Sequence, residues 1–384
     1  MQKAITPFPT TGYFGPDYFC NREEELEQLL RNVKGGNSTT LVAMRRLGKT
    51  ALVSHLFHYL GTRYHTIYLD ILPTESINDF LNQLINAAFQ VLPESTSPGK
   101  KIWKFVRSLR PAVSYDALNG SPVFSIHATS EESKRSIEEL FTILENQSKR
   151  VIIAVDEFQQ ILHYPENQTD AWLRSVIQKL TNVSFIFSGS QQHLMQELFS
   201  DPGKPFFRSA QFMKIGKIDQ KTYAAFIMHK FGEHHKSIAE DTVLSLLDWA
   251  DCHTYYVQLL CNRVFLASGK RIVDETWKNE AFRLLKEQEF VFYGYRDMLT
   301  KPQWELLRAI AAKGLVYQPT SADFISSFGL GNPATVLRSL RSLHNKELVH
   351  HEIDAEGNSV YTIYDVLFRR WVGETPLSRD LLRT

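Results

Sequence analysis

The segment Ala43-Met44-Arg45-Arg46-Leu47-Gly48-Lys49-Thr50 decides the fold. It follows the short apolar run Thr39–Val42, which reads as a buried strand, and it opens a helical pattern with Leu52, Leu56, Tyr59 and Leu60 on one face. Strand, loop and helix in that order are the setting that the phosphate-loop pattern GxxxxGK(S/T) requires, and only its first glycine is missing. The chemistry needs backbone N–H groups around a β-phosphate at a helix N-terminus, a lysine for the β and γ oxygens, and a hydroxyl for Mg2+. Gly48, Lys49 and Thr50 fill those places, with Ala43, Met44, Arg45, Arg46 and Leu47 completing the cradle. Alanine at position 43 is disfavoured only if the loop entry needs a glycine torsion, so weakened affinity is the expectation rather than none. A chance GKT at the head of an unrelated helix is the plain alternative, and it must be weighed with the segments downstream.

The first of these is Val151-Ile152-Ile153-Ala154-Val155-Asp156-Glu157, an apolar strand ending in two acids. Asp156 is the candidate to hold Mg2+, and Glu157 the candidate to orient or deprotonate the attacking water. Two acids that merely cap the next helix would be the bland reading. Ser188-Gly189-Ser190 follows a further strand, Ser184–Phe187, at the sheet edge where ligands of open α/β sheets gather. Ser188 or Ser190 would sense a γ-phosphate or position water, or would belong to an ordinary loop. Arg208, just before a last strand at Gln211–Ile215, is either an arginine finger or a surface salt-bridge partner.

Around these segments the chain alternates strand and helix, which predicts a parallel sheet. Asn21 is the expected cap of a helix opening with Glu23, Glu24 and Glu25. Thr66–Leu72 reads as a strand and Ile77–Val91 as an amphipathic helix. Residues 93–130 mix Pro, Gly and Ser with Lys100, Lys101, Lys104, Arg107 and Arg110, then a hairpin-like Ala112–His127, and read as an insertion forming a small ribbon. From Asp219 to about Tyr295 the pattern is helical with no convincing strand. Helices at Pro302–Lys313, Ser321–Phe328 and Pro333–His344 then precede strands Leu348–Ile353 and Ser359–Ile363, joined at Asp354-Ala355-Glu356-Gly357. That succession predicts a winged helix-turn-helix.

Composition excludes several classes. Of 384 residues, 43% are hydrophobic and 22% charged, which suits a multidomain globular chain. The 43 Lys and Arg against 42 Asp and Glu leave no whole-molecule field for nucleic acid or membrane, so any basic footprint must be local. Cys20, Cys252 and Cys261 lack CxxC spacing, the opening MQKAITPFPTTGYFGP has no signal-like apolar run, and the apolar stretches fall short of the roughly 18 residues of a membrane span. A cytoplasmic location with no membrane role is expected.

Together these segments resemble the archaeal-type ATPase family of the STAND division, relatives of origin-recognition AAA+ proteins. The resemblance rests on Phe19-Cys20-Asn21-Arg22-Glu23-Glu24-Glu25-Leu26, similar to the family lead-in F-x-G-R-E-x-E-L, and on Arg45-Arg46-Leu47-Gly48-Lys49-Thr50. It extends through Asp156-Glu157-Phe158-Gln159, Ser188-Gly189-Ser190, and Cys252-His253-Thr254-Tyr255-Tyr256-Val257-Gln258-Leu259-Leu260, similar to G-H-P-Y-Y-x-Q-L-L. Asn21, Ala43 and Thr254 depart from glycine, glycine and proline. The resemblance implies that Phe19, Arg22 and His253 border the nucleotide; a histidine packed on a helix face is the other reading of His253.

The expected architecture is therefore an α/β P-loop NTPase core with a parallel, AAA-like sheet at 1–217, an all-α helical lid at 218–296 and a winged helix-turn-helix at 297–384. The expected activity is slow Mg-ATP hydrolysis to ADP and phosphate, with ATP and Mg2+ as ligands and self-association as a possible state. Arg338, Arg341 and His344, with Lys346, His350 and His351 by the wing, would contact duplex DNA. Asp354 and Glu356 would repel it, and the competing reading makes the winged helix a lever contacting protein. A nucleotide-gated DNA-binding regulator with little hydrolysis is the alternative function.

Overall fold

The computed structural model describes residues 4–92, 96–117, 120–354 and 356–374. One unit, residues 11–218, is built on a parallel sheet. In chain order it holds α1 (Glu23–Lys34), β1 (Thr39–Val42), α2 (Lys49–Leu60), β2 (His65–Asp70), α3 (Ile77–Val91), α4 (Ser97–Ser108), β3 (Ala112–Tyr115) and β4 (Pro122–Ser125). It continues with α5 (Ser130–Glu145), β5 (Val151–Asp156), α6 (Thr169–Ile177), β6 (Val183–Gly189), α7 (Gln192–Ser200) and β7 (Gln211–Lys214). The sheet order is β2-β5-β6-β1-β7, all pairs parallel. Since β1 sits between β6 and β7 while β2 lies at the far edge, the loops after β1, β5 and β6 open side by side at the C-terminal edge of the sheet.

Strands β1, β5 and β6 are buried along their whole length, as strands covered on both faces must be. Their two-residue period sorts the side chains: Val151, Ile153 and Val155 join a core with α3 and α5, while Ile152, Ala154 and Ile186 join one with α1 and α2. At the mouth of the first core, Phe158 packs against Phe187, Phe206 and Phe199, with ring centroids 4.4, 5.2 and 5.8 Å apart.

Several local expectations are corrected. Asn21 does not cap α1: the N-cap is Arg22, and the chain enters through left-handed torsions at both residues, φ 60° and 81°. Asparagine tolerates that region better than most residues, so the left-handed entry carries little strain at position 21. Tyr59 is 49% exposed rather than part of the apolar face of α2, and β2 stops at Asp70, leaving Leu72 in the open. The insertion is more than a ribbon. Its basic stretch forms α4, because Ile102, Phe105 and Val106 recur at helical spacing and bury one face; residues 93–95 and 118–119 lie outside the described residues.

The second unit comprises residues 4–10 and 219–374. It holds α8 (Gln220–Glu233), β8 (Ser237–Ile238), α9 (Glu240–Trp249), α10 (Thr254–Ala267), β9 (Arg271–Ile272), α11 (Asp274–Asp297), α12 (Lys301–Lys313), α13 (Ala322–Phe328), α14 (Pro333–Asn345), β10 (Val349–Ile353), β11 (Ser359–Ile363) and α15 (Val366–Glu374). The lid is not free of strand, since β8 and β9 form a short parallel pair. The lead-in does not belong wholly to the first unit either: Phe8 is buried against Phe231, and Asn262 Nδ2 donates to Thr6 Oγ1 and Phe8 O at 2.6 and 3.0 Å. Lid and winged helix pack as one body. The reason is α15, unforeseen in the sequence, whose Phe368 and Trp371 pack on Phe292 of α11 while Arg370 donates to the carbonyls of Trp249 and Asp248. The antiparallel β10–β11 pair makes the wing; Ala355 of its turn lies outside the described residues. Among the described residues no helix is long and apolar enough to cross a membrane, and Cys20, Cys252 and Cys261 are free thiols.

Candidate functional site

The loop 43–48 joins β1 to α2 at the C-terminal edge of the sheet. Gly48 is the N-cap of α2 with φ 98°, a conformation other residues rarely adopt, so glycine is required there. Ala43 has no positive φ and is fully buried, so alanine carries no torsional penalty at the loop entry. This removes the reason for expecting weakened affinity. Lys49 opens the helix, is buried to 6% exposure, and its Nζ donates to Ala43 O at 3.4 Å. Burial pushes its pKa down, opposed by the charges of Glu157 and Asp156.

Asp156, the last residue of β5, gathers three hydroxyls. Oδ2 accepts from Thr50 at 3.0 Å and Tyr68 at 2.6 Å, and Oδ1 accepts from Ser188 at 2.6 Å. Ser188 is 1% exposed and committed to that carboxylate, so it positions Asp156 and has no open route to a phosphate. Glu157 follows in a left-handed conformation, φ 55°. Its Oε2 accepts from Gln159 Nε2 at 2.6 Å, Ser190 Oγ at 2.8 Å and Ser190 N at 3.2 Å. Arg45 Nε reaches Ser190 Oγ at 3.3 Å, which links the phosphate loop to Glu157. Gly189 is needed for a different reason: a Cβ there would lie 2.3 Å from Gln159 Oε1 and 2.7 Å from Met195.

The donor set fits Mg2+. A hydroxyl and a carboxylate 3.0 Å apart are hard oxygen ligands, few enough to leave room for phosphate and water. Among the described residues no cluster of three or more His, Cys, Asp or Glu offers an all-protein metal site.

Burial works to raise the Asp156 pKa, but the donors Ser188, Tyr68 and Thr50, with Lys49, outweigh it and hold the carboxyl below the ordinary aspartate range. A depressed folded pKa stabilises the fold above the unfolded value of about 3.9 and the benefit disappears as pH falls through the folded value. Ser188→Ala is therefore expected to cost about 1–3 kcal/mol at neutral pH. The deficit should begin to shrink as pH falls below about 4 and vanish only below the depressed folded value, where the carboxyl is protonated in folded and unfolded chains alike. Urea unfolding across pH checks this, and a deficit constant with pH would contradict it.

Other sequence candidates are placed differently. The Arg22 guanidinium is buried, bonded to Glu25 Oε1 at 2.8 Å and Gly216 O at 2.7 Å, so it braces the start of α1. Phe19 stacks on His55 of α2 at 4.1 Å, and His55 Nδ1 pairs with the Tyr13 hydroxyl at 2.6 Å. Arg208 is exposed and lies over its neighbour Phe207 at 5.0 Å; the structure does not bring it to the carboxylates. His253 is buried in the second unit at the start of α10, its ring 4.8 Å from Tyr256. On the winged helix, Arg338, Arg341 and Lys346 are exposed, whereas His350 is buried and His351 stacks on Tyr361, so neither histidine is displayed at the surface as a basic group. Burial, then His344, lowers the His351 pKa. Tyr68 and Gln159 were missed as site residues; the available signal was a polar side chain set within an apolar strand and one directly after the paired acids.

A family described as an ATPase domain predominantly from Archaea matches residues 19–260, and a probable winged helix domain matches residues 290–374. Among solved structures, the Walker-type ATPase of Pyrococcus abyssi gives a TM-score of 0.65 at 17% identity, over 96% of this chain and 99% of that one. The ORC2 protein of Aeropyrum pernix, solved as ADPNP-ADP complexes, gives 0.58 at 10% identity over 100% and 99%. The ORC1 protein of that organism, solved in complex with DNA, gives 0.50 at 14% identity over 95% and 96%. No curated protein sequence matches. At such identities the solved structures establish the fold.

Proposed function

We propose that this chain, which belongs to the ATPase domain family found predominantly in Archaea, is a Mg-ATP-dependent molecular switch that hydrolyses ATP slowly to ADP and phosphate. The observation that carries the proposal is the meeting of Lys49, Thr50, Asp156 and Glu157 at one edge of the sheet, tied by the 3.0 Å bond from Thr50 to Asp156. Backbone N–H groups of the loop cradle the β-phosphate, and Lys49 exchanges Ala43 O for phosphate oxygens. Thr50 and Asp156 would hold Mg2+, which would supply positive charge to offset that of the phosphates. Glu157 orients the attacking water and accepts its proton. Turnover is slow because Gln159 and Ser190 engage that carboxylate and must release it first. Arg45, bonded to Ser190, is the element through which the loop signals its occupancy to Glu157.

The cycle is coupled to rearrangement of the lid and winged helix. Arg208, exposed, is the finger offered to a neighbouring copy in a homo-oligomer. The free thiols suit a reducing cytoplasm. Exposed Arg338, Arg341 and Lys346 favour a second reading, a nucleotide-gated regulator that binds duplex DNA with little turnover. Mg-ATP binding and phosphate release by the wild type and Lys49→Ala separate the two. Release above background that Lys49→Ala abolishes supports the ATPase, and binding without release supports the regulator.

A further inference from the structure

The insertion between α3 and α5 plays no part in the nucleotide chemistry, yet it concentrates charge in a chain of balanced net charge. Between Thr96 and Tyr115 stand Lys100, Lys101, Lys104, Arg107 and Arg110, and no Asp or Glu. All five cations are exposed, and among the described residues none is ion-paired. Lys100, Lys104 and Arg107 follow the helical spacing of α4, so they form a stripe spanning about 10 Å on the face opposite Ile102, Phe105 and Val106. The scaffold beneath is firm. Asn86 Nδ2 donates to Phe124 O at 2.9 Å, Asn82 Nδ2 to Ile126 O at 3.1 Å, and Phe124 packs between Phe89 and Trp103. Among the described residues β3 is paired only with β4, and all four of its side chains are exposed, Tyr115 at 72% and Val113 at 47%.

We infer that this insertion is a binding surface for a single-stranded nucleic acid, with the α4 stripe tracking phosphates and Tyr115 stacking on a base. A row of exposed cations without ion pairs and an exposed aromatic on the same insertion supply what single strands require, whereas the bases of a duplex are closed to such stacking. A bilayer is the poorer partner, because the apolar face of α4 is already buried in the core and has nothing to insert. The surface lies in the first unit and is independent of Arg338 and Arg341 on α14.

The test is fluorescence anisotropy with a labelled mixed-sequence DNA strand of roughly 20 nucleotides, enough for one single-strand site. With the three phosphate contacts of the stripe, affinity should fall about 20-fold between roughly 50 and 200 mM salt. Lys100→Gln combined with Lys104→Gln should weaken binding and reduce the salt slope by about two-thirds. Tyr115→Ala should weaken binding at least about fivefold while leaving the slope unchanged. Arg338→Ala with Arg341→Ala should leave single-strand affinity as in the wild type. All replaced side chains are exposed, and thermal melts of the full chain verify folding. Unchanged affinity in the α4 and Tyr115 variants would overturn the inference. So would binding of anionic vesicles or polyglutamate without binding of the oligonucleotide.

Discussion

Glu157→Gln is expected to slow steady-state phosphate release by about 100- to 10,000-fold, the usual contribution of a positioned general base. Mg-ATP affinity should stay close to that of the wild type. The amide keeps the size of the side chain and can still meet Ser190 and Gln159, so folding is not in question. What it loses is the capacity to take a proton from water. The neighbouring carboxylate cannot substitute, because Asp156 is held by Thr50, Tyr68 and Ser188 and its pKa lies below the ordinary range, which makes it a poor base. Stopped release assays with saturating Mg-ATP read the effect, and a rate within about twofold of the wild type would remove Glu157 from the chemistry.

Phe158→Ala is expected to lower the unfolding free energy by about 3–5 kcal/mol, the range for deleting a buried aromatic from a packed core. Phe158 is fully buried and directly follows Glu157, with Phe187, Phe199 and Phe206 around it. The cavity would open beneath the turn that holds Glu157 at φ 55°. A strained left-handed residue persists only when its surroundings over-determine it. The variant should therefore also release phosphate more slowly at a temperature where it is still folded. Chemical denaturation gives the first quantity, and a loss under about 1 kcal/mol would contradict the packing described.

These two residues adjoin each other, and they also mark where sequence reading succeeds and stops. The turn from strand into helix at Gly48-Lys49-Thr50 and the apolar run before Asp156 are legible because backbone geometry dictates residue type there: only glycine suits φ 98° at position 48, and only apolar side chains suit a strand covered on both faces. The phenylalanine cluster is different. Phe158, Phe187, Phe199 and Phe206 come from three elements and a loop, and nothing local indicates that they meet. Tyr68 was hidden for the same reason, since its partner Asp156 lies across a β2–β5 pairing between strands far apart in sequence.

Helix α4 escaped notice because its cations and its Pro-Gly start outweigh a buried face of only Ile102, Phe105 and Val106. Helix α15 escaped because its apolar residues are partnered by α11 and α12, so its meaning is tertiary. Conversely, Ala43 looked like a defect in the sequence and is none in the structure, since its torsions are ordinary.

The account depends most on Lys49 and the loop before it. Calorimetric titration of Mg-ATP into the full chain and into Lys49→Ala tests it directly. One-to-one binding by the wild type, weakened in Lys49→Ala by at least about 100-fold, or about 2.7 kcal/mol, is the predicted result. Equal affinity in the two proteins, or no binding by the wild type, would contradict it.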